Sequence, residues 1–136
     1  METLSVKQKQ STRVLTFGLS HIALKVKDIE RTIQFYQHVF NVQIMYRKAN
    51  FAQVCTPGSN DIIVFEKSKS AQIGTTGGIA HFGFRLKNPG DIHELTARVI
   101  EAGGLIKEKG EFVQGEPYLF FLDPDGYEVE VWYELS

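Results

Sequence analysis

An internal repeat constrains this fold more than any other feature. Leu19-Ser20-His21-Ile22-Ala23-Leu24 and Ile79-Ala80-His81-Phe82-Gly83-Phe84 carry one pattern, and their histidines lie sixty positions apart. Both stretches alternate with period two, which reads as a half-buried strand. In the first, Ile22, Leu24 and Val26 share one face, and His21, Ala23 and Lys25 share the other. A helical pattern follows each strand. Asp28 is a good N-cap, and Ile29, Ile33, Tyr36 and Phe40 recur at helical spacing, so a helix is expected over about 29–40 with Asn41 as its C-cap. In the second half, Asp91 and Glu94 resemble a capping box ahead of Ile92, Leu95, Val99 and Ala102, and Gly103-Gly104 ends that helix. Three strands then close each half, at about 42–47, 51–56 and 61–66, and again at 105–111, 118–122 and 127–134. Each half therefore reads βαβββ.

A unit of about 55 residues is marginal alone, so the halves must share a core. The expected class is α+β: paired βαβββ modules forming a curved mixed sheet with helices on the outer face. Residues 1–16 are expected to be a polar arm, at whose end Val14-Leu15-Thr16-Phe17 docks or adds a short strand. Residues 17–136 then form a single domain, with module one at about 17–66, a Gly-rich linker at 67–78 and module two at about 79–136.

Charge and composition narrow the function classes. Net charge is −1 and the basic residues are dispersed, so no footprint for nucleic acid or an anionic membrane is present. The single cysteine, Cys55, excludes an intrachain disulfide and any multi-cysteine zinc site, and reads as an inert core or pocket-wall residue. No apolar run approaches a membrane span, and the first sixteen residues lack the apolar stretch of a signal peptide. A cytoplasmic protein is expected.

The chemistry begins with the last strand. Asp123-Pro124-Asp125-Gly126 is turn chemistry, and the residues after it alternate. Val129, Val131 and Tyr133 point one way, and Glu128, Glu130 and Trp132 the other. A carboxylate in mid-strand needs a partner, because burying it unpaired is costly. His21 and His81 lie on the corresponding inner faces. Two histidines and one carboxylate match the ligand set that holds Fe(II), Mn(II) or Zn(II) with positions left open. His38 and His93 fall on helices and read as solvated.

Residues 19–26, 78–86 and 123–131 resemble the signature strands of the vicinal oxygen chelate superfamily, which includes glyoxalase I, bleomycin-resistance proteins, fosfomycin-resistance enzymes and extradiol dioxygenases. The resemblance runs over residues 19–134. It implies one divalent metal ion per site (Fe, Mn, Ni or Zn), held by His21, His81 and Glu130, in a homodimer whose sites lie either within one chain or across the interface. The place of a fourth ligand, as in glyoxalase I, falls on Val64, which cannot ligate; Glu66 has the same parity one repeat farther along. Ala23 stands where fosfomycin thiol transferases carry threonine. The implied activity is that of a lyase, isomerase or ring-cleaving dioxygenase binding vicinal oxygens of a small molecule. The alternative is a metal-free drug-sequestering protein of the bleomycin-resistance type. By parity, Ile62, Val64, Phe120 and Trp132 line the pocket. Arg85 shares the His81 face, either to pair with a substrate carboxylate or as a solvated strand-end residue. Tyr118 and Glu128 are the candidate catalytic groups, with Glu128 otherwise a rim residue.

Overall fold

The computed structural model describes residues 13–75 and 77–135. The first twelve residues of the expected arm lie outside these. Module one contains β1 (Ile22–Val26), α1 (Ile29–Phe40), β2 (Gln43–Lys48), β3 (Phe51–Cys55) and β4 (Ile63–Lys67). Module two contains β5 (Phe82–Arg85), α2 (Asp91–Glu101), β6 (Leu105–Glu111), β7 (Pro117–Leu122) and β8 (Glu128–Trp132). The repeated βαβββ order is as the alternation predicts. Hydrogen bonding divides the strands into two four-stranded sheets, ordered β1-β4-β3-β2 and β5-β8-β7-β6. In each, the first strand pairs parallel with the last, and the other pairings are antiparallel. The registers also repeat: Ala23 lies opposite Val64, and Gly83 opposite Glu130.

The helices form where capping chemistry allows. Asp28 accepts the N–H of Arg31, and Asn41 takes the left-handed conformation at φ 58° and closes α1 by bonding to the carbonyl of Gln37. The capping box expected at Asp91 is not formed. Gly90 is already near-helical (φ −66°, ψ −21°), so the chain turns into α2 one residue early and Asp91 becomes its first residue. Asp91 and Glu94 still complement the helix dipole, and Glu94 accepts from Arg98 at 3.0 Å.

Both helices bury their apolar faces in one core. Val26, Ile33, Tyr36 and Phe65 of module one join Val99, Phe121, Val129 and Val131 of module two in a single cluster. Phe40 stacks on Phe84 at 3.7 Å, and Phe35 meets Phe121 at 6.0 Å, so α1 covers part of the second sheet. Each fully buried large side chain contributes about 1.5–3 kcal/mol, and neither half completes this cluster alone. The inner faces of the sheets are left open. Ahead of β1, Val14, Leu15, Phe17 and Leu19 stand exposed, and residues 13–20 add no strand. No helix among the described residues is long and apolar enough to cross a membrane.

The turn before β8 joins the modules. Asp123 Oδ1 accepts the backbone N–H groups of Asp125, Gly126 and Tyr127, each at 3.0 Å, and its Oδ2 accepts the hydroxyl of Tyr36 on α1 at 2.8 Å. The side chain of Asp125 is fully buried and pairs with Arg31 of α1 at 2.7 Å. Desolvation raises the pKa of Asp123, and the hydrogen bonds from Tyr36 and the backbone oppose that shift. Because the folded-state value is raised, the stability this carboxyl contributes is complete below the ordinary carboxylate range and is lost as pH rises through the raised value. Tyr36→Phe removes a donor from the ionised form. It should cost about 1–3 kcal/mol near neutral pH and less where Asp123 is protonated, as read from urea midpoints of wild type and variant across the acid range. A cost that grows on acidification would contradict this account.

Candidate metal centre

Strand β8 positions the candidate ligand. Val129 and Val131 are fully buried against the helices, so Glu128, Glu130 and Trp132 must face the open side of the sheet. Glu130 stands there beside His81, which immediately precedes β5; His81 Nε2 lies 3.3 Å from Glu130 Oε1. Their side chains are 33% and 17% exposed, so the pair is sheltered yet reachable from solvent. Phe120, opposite Glu130 on β7, meets the His81 ring edge-on at 5.1 Å. Gly83 lies opposite Glu130 on the other side, where a Cβ would come within 3.0 Å of the Glu130 carbonyl oxygen and 3.4 Å of its Cβ. The absence of a side chain at Gly83 leaves the carboxylate its room.

The rest of this face is polar at its edges and aromatic in between. Glu128 accepts from Lys107 Nζ at 2.5 Å, and Arg85 pairs with Glu134 at 3.4 Å. Tyr118 donates to Glu108, a bond that raises the pKa of the phenol. Phe112 stacks on Tyr118 at 4.2 Å and meets Trp132 edge-on at 6.0 Å. The parity reading therefore brings together His81, Glu130, Phe120 and Trp132, with Tyr118, Glu128 and Arg85 on the same face. Lys107, Glu108, Phe112 and Gly83 also belong to it and escape the sequence reading. Lys107 sits in a β-bulge between Ile106 and Glu108, which breaks the alternation, and Phe112 follows the last residue of β6.

His21, Ile62 and Val64 stand on module one. The ring of His21 is exposed, with Nδ1 2.7 Å from Ser20 Oγ. Val64 is buried beside Ala23, and Glu66 is exposed beside Lys25. The Tyr127 hydroxyl donates to the Lys25 carbonyl at 2.7 Å, so the end of β1 meets the start of β8. His21 lies four residues back from that contact, roughly 13 Å along an extended strand. Among the described residues of one chain, no three His, Cys, Asp or Glu side chains are grouped to hold a metal ion. A cavity of about 360 Å³ opens at the seam between β1 and β5, with Ala23, Lys25, Ile79, His81, Tyr127 and Glu128 in its wall. The donors present, an imidazole nitrogen and a carboxylate oxygen, suit a divalent ion but fill only part of its coordination.

The family model for the glyoxalase/bleomycin resistance protein/dioxygenase superfamily matches residues 18–131. Catechol-2,3-dioxygenase of Bacillus subtilis (strain 168) is 26% identical over 117 residues; the match covers 84% of this chain and 40% of that protein, so this chain spans less than half of its length. The fosfomycin resistance protein FosX from Listeria monocytogenes is 28% identical with a TM-score of 0.74, over 89% of this chain and 96% of that one. A point mutant of FosX from the same organism, complexed with Mn(II) and 1S,2S-dihydroxypropylphosphonic acid, is likewise 28% identical with a TM-score of 0.71, over 86% and 90% of the two chains. The repeated modules, the face carrying His81 and Glu130, and the match over residues 18–131 lead to one conclusion: this chain belongs to the glyoxalase/bleomycin resistance protein/dioxygenase superfamily.

Proposed function

We propose that this protein is a divalent-metal-dependent enzyme that binds two neighbouring oxygens of a small molecule. In this reading His81 and Glu130 of one copy and His21 of a second copy hold the ion, and residues 17–136 are the acting unit of a homodimer. The observation that carries it is the His81–Glu130 pair, 3.3 Å apart on the open face of module two. A carboxylate set among Phe120, Trp132 and Gly83 is costly to leave uncompensated, and a cation offsets that cost. The two modules supply unequal donors. His21 repeats His81, but Val64 stands where Glu130 would repeat. A second copy of module one set against module two therefore adds one histidine and leaves coordination positions open, as a catalytic site needs. The single-chain geometry supports the second copy: His21 is exposed and, among the described residues of one chain, is not grouped with His81 and Glu130.

A bound divalent ion would supply Lewis acidity toward the paired oxygens. The chain itself does the rest. Glu130 and His81 orient the site, Gly83 keeps the carboxylate unobstructed, and Phe120 and Trp132 exclude water from one side. Glu128 is held by Lys107 at the edge of the face, and Tyr118 by Glu108; in this reading both act as supporting groups. One observation favours a metal-free binding protein instead: a protonated His81 can neutralise Glu130 unaided at 3.3 Å.

Calorimetric titration of chelator-stripped protein with Fe(II), Mn(II), Ni(II) and Zn(II), beside Glu130→Ala, separates the two readings. The enzyme reading expects tight binding that falls more than about a hundredfold in Glu130→Ala, beyond what loss of a merely supporting residue causes. No binding, or equal binding in both proteins, leaves the metal-free reading. A second variant tests the geometry. Gly83→Ala should fold normally by circular dichroism and bind the same metal about tenfold more weakly, because the added methyl displaces Glu130. Unchanged affinity would show that the carboxylate does not depend on this clearance.

A further inference from the structure

The chain ahead of β1 leaves four large apolar side chains without cover. Val14, Leu15, Phe17 and Leu19 are 89%, 83%, 111% and 101% exposed. Apolar residues this exposed and this close in sequence mark an interaction surface. Residues 13–20 belong to no strand, and Gly18, at φ 91°, bends the chain between Phe17 and Leu19. A Cβ at Gly18 would meet nothing within 4 Å among the described residues, so the bend stands in open space.

The open face of module two offers a surface that fits this segment. Phe120, Tyr118 and Phe112 lead away from His81 in centroid steps of 5.1, 5.6 and 4.2 Å, and Trp132 closes on Phe112. None of these four rings is buried. Charge agrees with polarity. Two cations on this face, Arg85 and Lys107, stand against four carboxylates, Glu108, Glu128, Glu130 and Glu134, a net −2. Residues 1–20 hold three cationic side chains, Lys7, Lys9 and Arg13, against one carboxylate, Glu2, a net +2. Opposite charge around two apolar surfaces selects one for the other. Length also fits. At about 3.3 Å per residue, Phe17 lies within about 13 Å of His21, and Leu15 within about 20 Å. Where His21 of one copy meets His81 of another, the rings from Phe120 to Phe112 fall inside that reach.

We propose that residues 14–19 of one copy lie on the wall of Phe112, Tyr118, Phe120 and Trp132 of a second copy. The contact removes both apolar surfaces from water at once. It goes beyond the shared metal site and rests on that reading only for the meeting of His21 with module two of the second copy.

The test reads acrylamide quenching of Trp132, the only tryptophan, in the full chain. Phe17→Ser should dock at least about tenfold more weakly and leave Trp132 more open to quenching, with the circular dichroism of wild type. Ile100→Ser, at an apolar position 59% exposed on α2, should keep the wild-type quenching. Phe17→Ser is then unfolded and refolded with an excess of Trp132→Phe, which has no reporter but an intact arm. Protection should return, because the intact arm comes from the other copy. Unchanged quenching in Phe17→Ser, an equal rise in Ile100→Ser, or protection that does not return on mixing would overturn the proposal. Arm-dependent protection without metal binding in the calorimetric titration would remove the metal reading alone; metal binding without arm-dependent protection would remove this one alone.

Discussion

The carboxylate of Asp123 holds the two halves of this molecule in one arrangement. Its Oδ1 gathers three backbone N–H groups into the turn that launches β8, and its Oδ2 takes the hydroxyl of Tyr36 from the other module. Burial pushes its pKa up, so it is kept in place only because every lone pair it presents has a use. Asp125, two residues on, repeats the device with Arg31. Between them, these residues set where β8 starts, and β8 decides which side chains enter the core and which face outward. Val129 and Val131 go in, and Glu130 and Trp132 come out.

From that alternation follows an unequal duplication. The two modules share order, register and a histidine just before the first strand. They differ at the residue opposite Ala23 and Gly83, which is Val64 in one and Glu130 in the other. Module two alone combines a base and a carboxylate, and module one offers a lone exposed imidazole. A site built from one face of each module takes three donors, which is the number that leaves an ion open to substrate. Within one chain, His21 is exposed and, among the described residues, is not grouped with His81 and Glu130. The missing donor is therefore sought in a second copy, in keeping with two-fold assembly.

Much of this was legible in the residues. The repeat of His21 and His81 shows two modules, and Asp28 and Asn41 mark the ends of α1 because their side-chain chemistry acts locally. Parity along β5, β7 and β8 places His81, Phe120, Glu130 and Trp132 on one face, since strand period depends on no distant contact. What alternation does not carry is the relation between modules, such as the Tyr127–Lys25 contact that joins β1 to β8. The bulge at Lys107 hid a member of the face for a different reason: one extra residue reverses parity with no mark in the sequence. The cap of α2 was misplaced because Pro89-Gly90 begins the helical turn before Asp91 is reached.

The central claim is that each site draws His21 from one chain and His81 and Glu130 from another. Mixing two inactive variants tests it most directly. His21→Ala and Glu130→Ala, each unable to bind metal alone, are unfolded together, refolded and titrated with the metal that the wild-type protein prefers. A shared site predicts that mixed dimers rebuild one intact site of two, restoring about a quarter of the wild-type capacity at wild-type affinity. A mixture that binds no more metal than either variant alone would contradict the account.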